Sequence, residues 1–181
     1  MIRGKQGAIG IIVFFVILFS ILIIGFAGSI LVGIIDFASD EITPVFKEIG
    51  GIGDLNVSET AGYALTPMNT FVQAMPWLVG FGYVVMLMVS VVFVLSYRIN
   101  PNPFYIAFYI SLIILLIFGS VIISNMYENI YTVDDEIGTR LQEQTILSYM
   151  ILYSPVILTL IAFMTGILLF AGKQDEGGGG I

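Results

Sequence analysis

Four long apolar stretches separated by polar segments dominate the pattern of this chain. They cover residues 8–35, 77–97, 104–126 and 147–171, and none contains Asp, Glu, Lys or Arg. A helix of about 20 residues crosses a hydrocarbon core of roughly 30 Å. Because backbone polar groups in hydrocarbon must be satisfied within the segment, each stretch is predicted to be a transmembrane helix. The predicted fold class is an all-α, polytopic integral membrane protein with four transmembrane helices arranged as two hairpins.

The composition supports this class. Hydrophobic residues make up 58% of the 181-residue chain and charged residues only 10%, whereas soluble domains are about half apolar and a quarter charged. Residues 1–181 are therefore predicted to form a single membrane domain, with polar loops at 36–76 and 127–146 and a flexible, glycine-rich tail at 172–181. The first apolar stretch is longer than the apolar region of a secretory signal peptide, so it is expected to be an uncleaved signal anchor.

Charge divides the polar segments into two groups. Arg3, Lys5, Arg98 and Lys173 fall in three segments that four crossings place on one side, and eleven of the thirteen carboxylates fall in the two loops on the other side. Basic residues near span ends are enriched on the cytoplasmic side. Both termini are therefore predicted to be cytoplasmic or interior, with the acidic loops outside. A cell membrane and a virion envelope both remain open.

Small residues recur at helical spacing in two of the apolar stretches. Gly25, Ser29 and Gly33 repeat every four residues in the first stretch, and Ala162 and Gly166 do so in the fourth. Such spacing lets helix backbones approach closely. These five residues are predicted to pack helices together, either within one chain or between subunits.

The longer acidic loop, 36–76, is predicted to contain two short helical turns joined by a flexible segment. Pro44 and Pro67 each follow a threonine, and Thr-Pro is a good helix start. Short helical turns are therefore expected at 44–49 and 67–74. The segment between them contains the sequon Asn56-Val57-Ser58, which makes Asn56 a candidate for glycosylation in a glycosylating compartment.

The shorter acidic loop carries a sharper signal. Residues 132–135, Thr-Val-Asp-Asp, match a capping box, so the fourth helix is predicted to begin near Val133 and to extend beyond the bilayer. Glu136 and Arg140 are four residues apart, in the order that favours pairing on an exposed face. This extension is either a solvated surface or a partner contact, for which the candidate residues are Asp134, Asp135, Glu136 and Arg140.

Several kinds of chemistry are excluded by residue type. The chain has no histidine and no cysteine, which rules out His-ligated haem, thiolate metal centres, disulfides and Ser-His catalysis within it. Ionisable groups at membrane depth usually mark proton relays and ion-coupled transporters, and the apolar stretches have none. No enzymatic activity, cofactor or metal is predicted, and the sparse Lys and Arg argue against nucleic-acid binding.

Two functional hypotheses remain. The preferred one is a non-enzymatic structural or accessory subunit of a membrane, which assembles laterally with itself or with partner proteins and presents acidic outer loops. The alternative is a small oligomeric channel or permease with an uncharged polar pore. The residues expected to line that pore are Ser20, Ser90, Ser111, Ser120, Ser124 and Asn125.

Overall fold

A computed structural model describes residues 2–48, 51–52, 55–95 and 103–171 of the chain. The predicted tail at 172–181 and the basic turn around Arg98 lie outside the described residues. The elements are α1 (Ile2–Glu48), β1 (Gly51–Ile52), β2 (Leu55–Asn56), α2 (Val57–Leu95), α3 (Pro103–Tyr131), α4 (Glu136–Glu143), α5 (Thr145–Leu152) and α6 (Ser154–Ala171).

Three of these helices are long and apolar enough to cross a membrane. They are α1, α2 and α3, with candidate spans at Ala8–Val45, Thr70–Leu95 and Pro103–Tyr131. A fourth candidate arises only if α5 and α6, which are bent by 68° relative to each other, count as one span. The helical fold class is therefore confirmed, and its apolar helices are compatible with an integral membrane location. Four crossings and the orientation of the termini stay predictions.

Helices α1 and α2 form a hairpin whose tip is the antiparallel pair β1–β2, with Ile52 opposite Leu55. The predicted 36–76 loop with two short helical turns is instead largely helical, because α1 continues to residue 48 and α2 begins at residue 57. Residues 44–48 and 67–74 lie inside these long helices and do not form separate turns. Packing of one helix against the other outweighs the local cost of the prolines inside them, and both Ser39 and Val72 are buried in this part of the hairpin.

Threonine hydroxyls accompany two of the helix-internal prolines. Thr43 lies next to Pro44, and its hydroxyl donates to the Ser39 carbonyl at 2.7 Å. Thr70 lies one turn after Pro67, and its hydroxyl donates to the Thr66 carbonyl at 3.0 Å. Both are bonds from a side chain to the carbonyl four residues earlier, and such bonds tend to bend a helix, as prolines inside it also do.

The core lies between the inward faces of α1, α2, α3 and α6. Aromatic rings there rest on glycines of the facing helices, with Tyr83 against Gly25 and Tyr109 against Gly166. The outward faces of these helices are also apolar and carry exposed rings such as Phe81, which gives the bundle a surface suited to lipid.

The predicted fourth helix differs most from expectation. Its start near Val133 was wrong, because the hydroxyl of Thr132 donates to the Glu128 carbonyl at the end of α3 and Asp135 caps α4 instead. Oδ1 of Asp135 accepts from the Gly138 N–H at 2.6 Å. The predicted 147–171 span is divided between α5 and α6, so it is not one continuous helix.

Candidate functional site

A buried polar cluster joins α1 and α3 to the break between α4 and α5. Its members are Ser29, Tyr127, Gln144 and Ser148, here called the polar junction, and each is at most 4% exposed. Ser29 Oγ donates to Gln144 Oε1 at 2.8 Å, and Gln144 Nε2 donates to the Ser29 carbonyl at 3.1 Å. Tyr127 Oη lies 2.7 Å from both Ser29 Oγ and Ser148 Oγ. These bonds connect segments that are far apart in the chain.

The hydroxyl groups of the polar junction make more hydrogen-bond contacts than they have protons to donate. Ser148 Oγ donates to the Leu141 carbonyl at 2.5 Å, so hydroxyl oxygens take part in four contacts along the path from Gln144 to Leu141. Three hydroxyls supply only three protons. While the two serines donate to Gln144 and Leu141, Tyr127 donates to one serine at a time. The hydroxyl protons are thus used within the chain, where they hold helices together.

Backbone breaks explain why the polar side chains are needed at this point. The carbonyl of Leu152, at the second break, accepts from Ser124 Oγ at 2.6 Å. Away from the breaks, the carbonyl of Ala162 inside α6 also accepts from Tyr109 Oη at 2.8 Å. A carbonyl without a partner in an apolar environment costs several kcal/mol. Side chains of α3 therefore support the broken fourth segment.

Arg140 links α4 to α1 one helical turn before Gln144. Its Nη1 lies 3.1 Å from Asp36 Oδ2 and 3.7 Å from Glu143 Oε2, and its Nη2 pairs with Asp40 Oδ2. Partial burial acts to lower the pKa of the Arg140 guanidinium, but the hydrogen bond to Asp40 and the three nearby carboxylates outweigh it and raise that pKa. The side chain is charged at any pH at which proteins are handled.

The residues predicted to contact a partner have different roles in the structure. Asp134, Asp135 and Glu136 are all exposed, and Asp135 also caps α4. In the described part of the chain, the ion pairs of Arg140 run to Asp36, Asp40 and Glu143 instead of Glu136. The end of the bundle that holds α4 and residues 36–48 is called the acidic end below.

Two clefts flank Arg140 at the acidic end. One, of about 420 Å³, lies between α1 and the start of α4 and is lined mainly by carboxylates. The other, of about 260 Å³, lies between α1, α2 and the end of α4 and is called the α2-side cleft. Its lining residues are Val32, Asp36, Asp40, Val72, Gln73, Pro76, Trp77, Arg140, Glu143 and Gln144.

The small residues singled out by spacing all face other helices of the same chain. A Cβ atom at Gly25 would lie 2.8 Å from the Tyr83 ring, and one at Gly33 would lie 3.4 Å from Leu141. Ser29 belongs to the polar junction. In α6, Ala162 is buried and its carbonyl binds Tyr109, and a Cβ atom at Gly166 would lie 2.7 Å from the same ring.

The six candidate pore residues do not share one surface within a chain. The hydroxyls of Ser90, Ser111 and Ser120 donate to carbonyls three or four residues earlier in their own helices. Three of the six are buried, namely Ser90, Ser120 and Ser124, and three are exposed, namely Ser20, Ser111 and Asn125. Asn56, the candidate glycosylation site, ends β2 at the hairpin tip, and its side chain lies outside the described part of the structure.

Sequence analysis missed most of the polar junction and the acidic partners of Arg140. Gln144 is one of two glutamines just before an apolar stretch, and nothing near it in the chain indicates that it, and not Gln142, meets Ser29. Among the described residues, no group of three or more acidic side chains is placed to hold a metal ion. Comparisons with protein-family models, with curated proteins and with solved structures found no match to this chain.

Proposed function

We propose that this chain is a non-enzymatic integral membrane subunit with a structural or accessory role, which assembles with itself or with partner proteins. The polar junction carries this proposal. Ser29, Tyr127, Gln144 and Ser148 bond to one another and to backbone carbonyls, so they brace the bundle. A transporter or enzyme needs polar groups that are available to a solute or substrate.

The proposed surface for partner contact is the acidic end. The face of α1 that carries Gly25, Ser29 and Gly33 packs against other helices of the same chain. A partner protein is therefore expected to contact a different surface. Exposed carboxylates such as Asp134 and Glu136 border the larger cleft beside α4. An acidic surface suits a partner with a basic surface, because charge complementarity speeds association and disfavours wrong partners.

Site-specific photo-crosslinking in the native membrane tests this proposal. A photoreactive residue replaces Glu136 at the acidic end, and a matched control replaces Phe104, which is exposed near the start of α3. Cross-linking of Glu136 to one defined protein, followed by its recovery in stoichiometric amount by native mass spectrometry, is the expected result. Equal labelling at both positions, with the chain recovered alone, would contradict it.

Within the channel hypothesis, the positions of the candidate pore residues favour a pore between copies of the chain over a pore within one chain. Ser111 and Asn125 are exposed on α3 and fourteen residues apart, so they lie near the same helix face. A pore between subunits would place that face inward. Flux through purified protein in liposomes that falls on Asn125→Leu would favour the channel, whereas absence of flux across solutes, voltages and pH would exclude it.

A further inference from the structure

The α2-side cleft lies at the level where the apolar surface of the bundle ends. Asp36 is the first charged residue after the 8–35 apolar stretch, and Trp77 is the first residue of the next one. Both line the cleft. In a bilayer, the transition between an apolar stretch and charged residues marks the headgroup region, and tryptophan is enriched there. The cleft is thus at the depth of lipid headgroups.

The lining of the cleft combines charge with an aromatic face. Three carboxylates and one guanidinium line it, which leaves an excess of two negative charges. Arg140 contacts a single oxygen, Oδ2, of Asp36 and of Asp40, and a carboxylate accepts hydrogen bonds at both oxygens. The indole of Trp77 is 67% exposed. Carboxylates beside an exposed indole are suited to an organic ammonium group, through hydrogen bonds and cation–π attraction.

The size and surroundings of the cleft favour a lipid as the source of that group. Its volume of about 260 Å³ is just below the range of about 300–1,000 Å³ for sites that enclose drug-sized ligands, so it suits a headgroup alone. Leu78 and Phe81 follow Trp77 on α2 and are exposed. They offer apolar surface for acyl chains next to the cleft.

We propose that the α2-side cleft binds the ammonium-bearing headgroup of a phospholipid. Asp36 and Asp40 accept hydrogen bonds from the ammonium group, and Trp77 covers it. Arg140 faces the phosphate, because a guanidinium is the side chain best matched to phosphate oxygens. This inference depends on the membrane location of the chain and is independent of its role as an accessory subunit.

Native mass spectrometry of the full chain in mild detergent tests the proposal by titration with defined lipids. Phosphatidylethanolamine is the probe, phosphatidylglycerol is the lipid without an ammonium group, and soluble phosphoethanolamine is the headgroup without acyl chains. One phosphatidylethanolamine per chain is expected to bind at least about tenfold more tightly than phosphatidylglycerol. Loss of the cation–π or charge contribution in Trp77→Ala or Asp40→Asn is expected to weaken this binding by about three- to tenfold.

Two matched variants separate the cleft from general effects of charge and exposed aromatic area. Glu136→Gln removes a carboxylate that lines only the other cleft, and Tyr63→Ala removes an exposed ring elsewhere on α2. Both are expected to bind phosphatidylethanolamine as the unaltered chain does. Equal affinity for phosphatidylglycerol, or equal weakening by Glu136→Gln and Asp40→Asn, overturns the proposal. Binding of soluble phosphoethanolamine as tight as that of the lipid overturns the assignment to a lipid.

Discussion

Ser29 and Gln144, which are 115 residues apart in the chain, exchange two hydrogen bonds in the interior of the bundle. The hydroxyl of Ser29 donates to the amide oxygen of Gln144, and the amide nitrogen donates back to the Ser29 carbonyl. The pair ties the middle of α1 to the break between α4 and α5. The break is thereby held at a defined position along α1.

Replacing Gln144 with leucine removes both bonds of this pair. A loss of about 1–2 kcal/mol in the free energy of unfolding is expected, because buried partners are left without a hydrogen bond. Chemical unfolding in detergent micelles measures it. The matched control is Gln142→Leu, two residues earlier, whose amide bonds the Tyr131 carbonyl at an exposed position where water can replace it. If both leucine variants lose the same stability, the buried pair has no special role.

Tyr127→Phe is expected to lower the free energy of unfolding by less than the complete burial of Tyr127 suggests. Its hydroxyl proton serves one of two serines at a time, and without it Ser29 and Ser148 still donate to Gln144 and Leu141. Polar side-chain contacts between membrane helices are worth about 0.6 kcal/mol on average and up to about 1.7, so a loss of about 1 kcal/mol or less is expected. A loss above about 3 kcal/mol in the same unfolding assay would refute this proton count.

Gly166→Ala is expected to destabilise the bundle by about 1–3 kcal/mol, because it overpacks a site that cannot relax freely. The added Cβ atom would lie 2.7 Å from Tyr109 Cε1, and Tyr109 is held in place by its hydrogen bond to Ala162. Gly82→Ala is the control, since a Cβ atom there meets nothing within 4 Å. It should be neutral, or stabilising by up to about 1 kcal/mol through helix propensity. Thermal melting of the two alanine variants measures the contrast, and equal melting temperatures would contradict it.

Arg140→Met is expected to lower stability by about 1 kcal/mol at low ionic strength, because Asp36, Asp40 and Glu143 are left to repel one another. The figure stays small since these side chains are partly exposed and screened by water. Raising the salt concentration should reduce the loss, because screening weakens repulsion between exposed charges. Gln142→Glu is the control, because it changes the net charge of α4 by the same amount without removing an ion pair. A salt-independent loss in Arg140→Met would instead indicate that its aliphatic packing matters.

Much of the fold was predictable from local pattern. The cores of α1, α2 and α3 coincide with apolar stretches because a long uncharged run has few ways to satisfy its backbone except as a helix. The 36–76 segment was not predictable in this way. Thr43-Pro44 and Thr66-Pro67 resemble helix starts locally, but packing of α1 against α2 carries both helices through the prolines.

The polar junction depends on contacts that no local pattern reveals. Gln144 lies at the break in the predicted fourth helix, where Ser29 bonds its side chain and Ser148 bonds the Leu141 carbonyl. Gly25, Ser29 and Gly33 each lie against a residue of another helix, and their spacing had predicted helix packing on this face of α1. It carried no information about which helix that is.

The unequal continuity of the helices has a mechanical consequence. Helix α1 runs through 47 residues, roughly 70 Å at 1.5 Å per residue, more than twice the thickness of a hydrocarbon core of about 30 Å. A tilt imposed at the end of α1 near the hairpin tip therefore reaches Ser29 along one continuous helix, which contains Pro44. The segment from α4 to α6, in contrast, is interrupted at two positions where it can bend. Force applied to the tip would accordingly be absorbed at the two breaks, one at Gln144 within the polar junction and one at Tyr153.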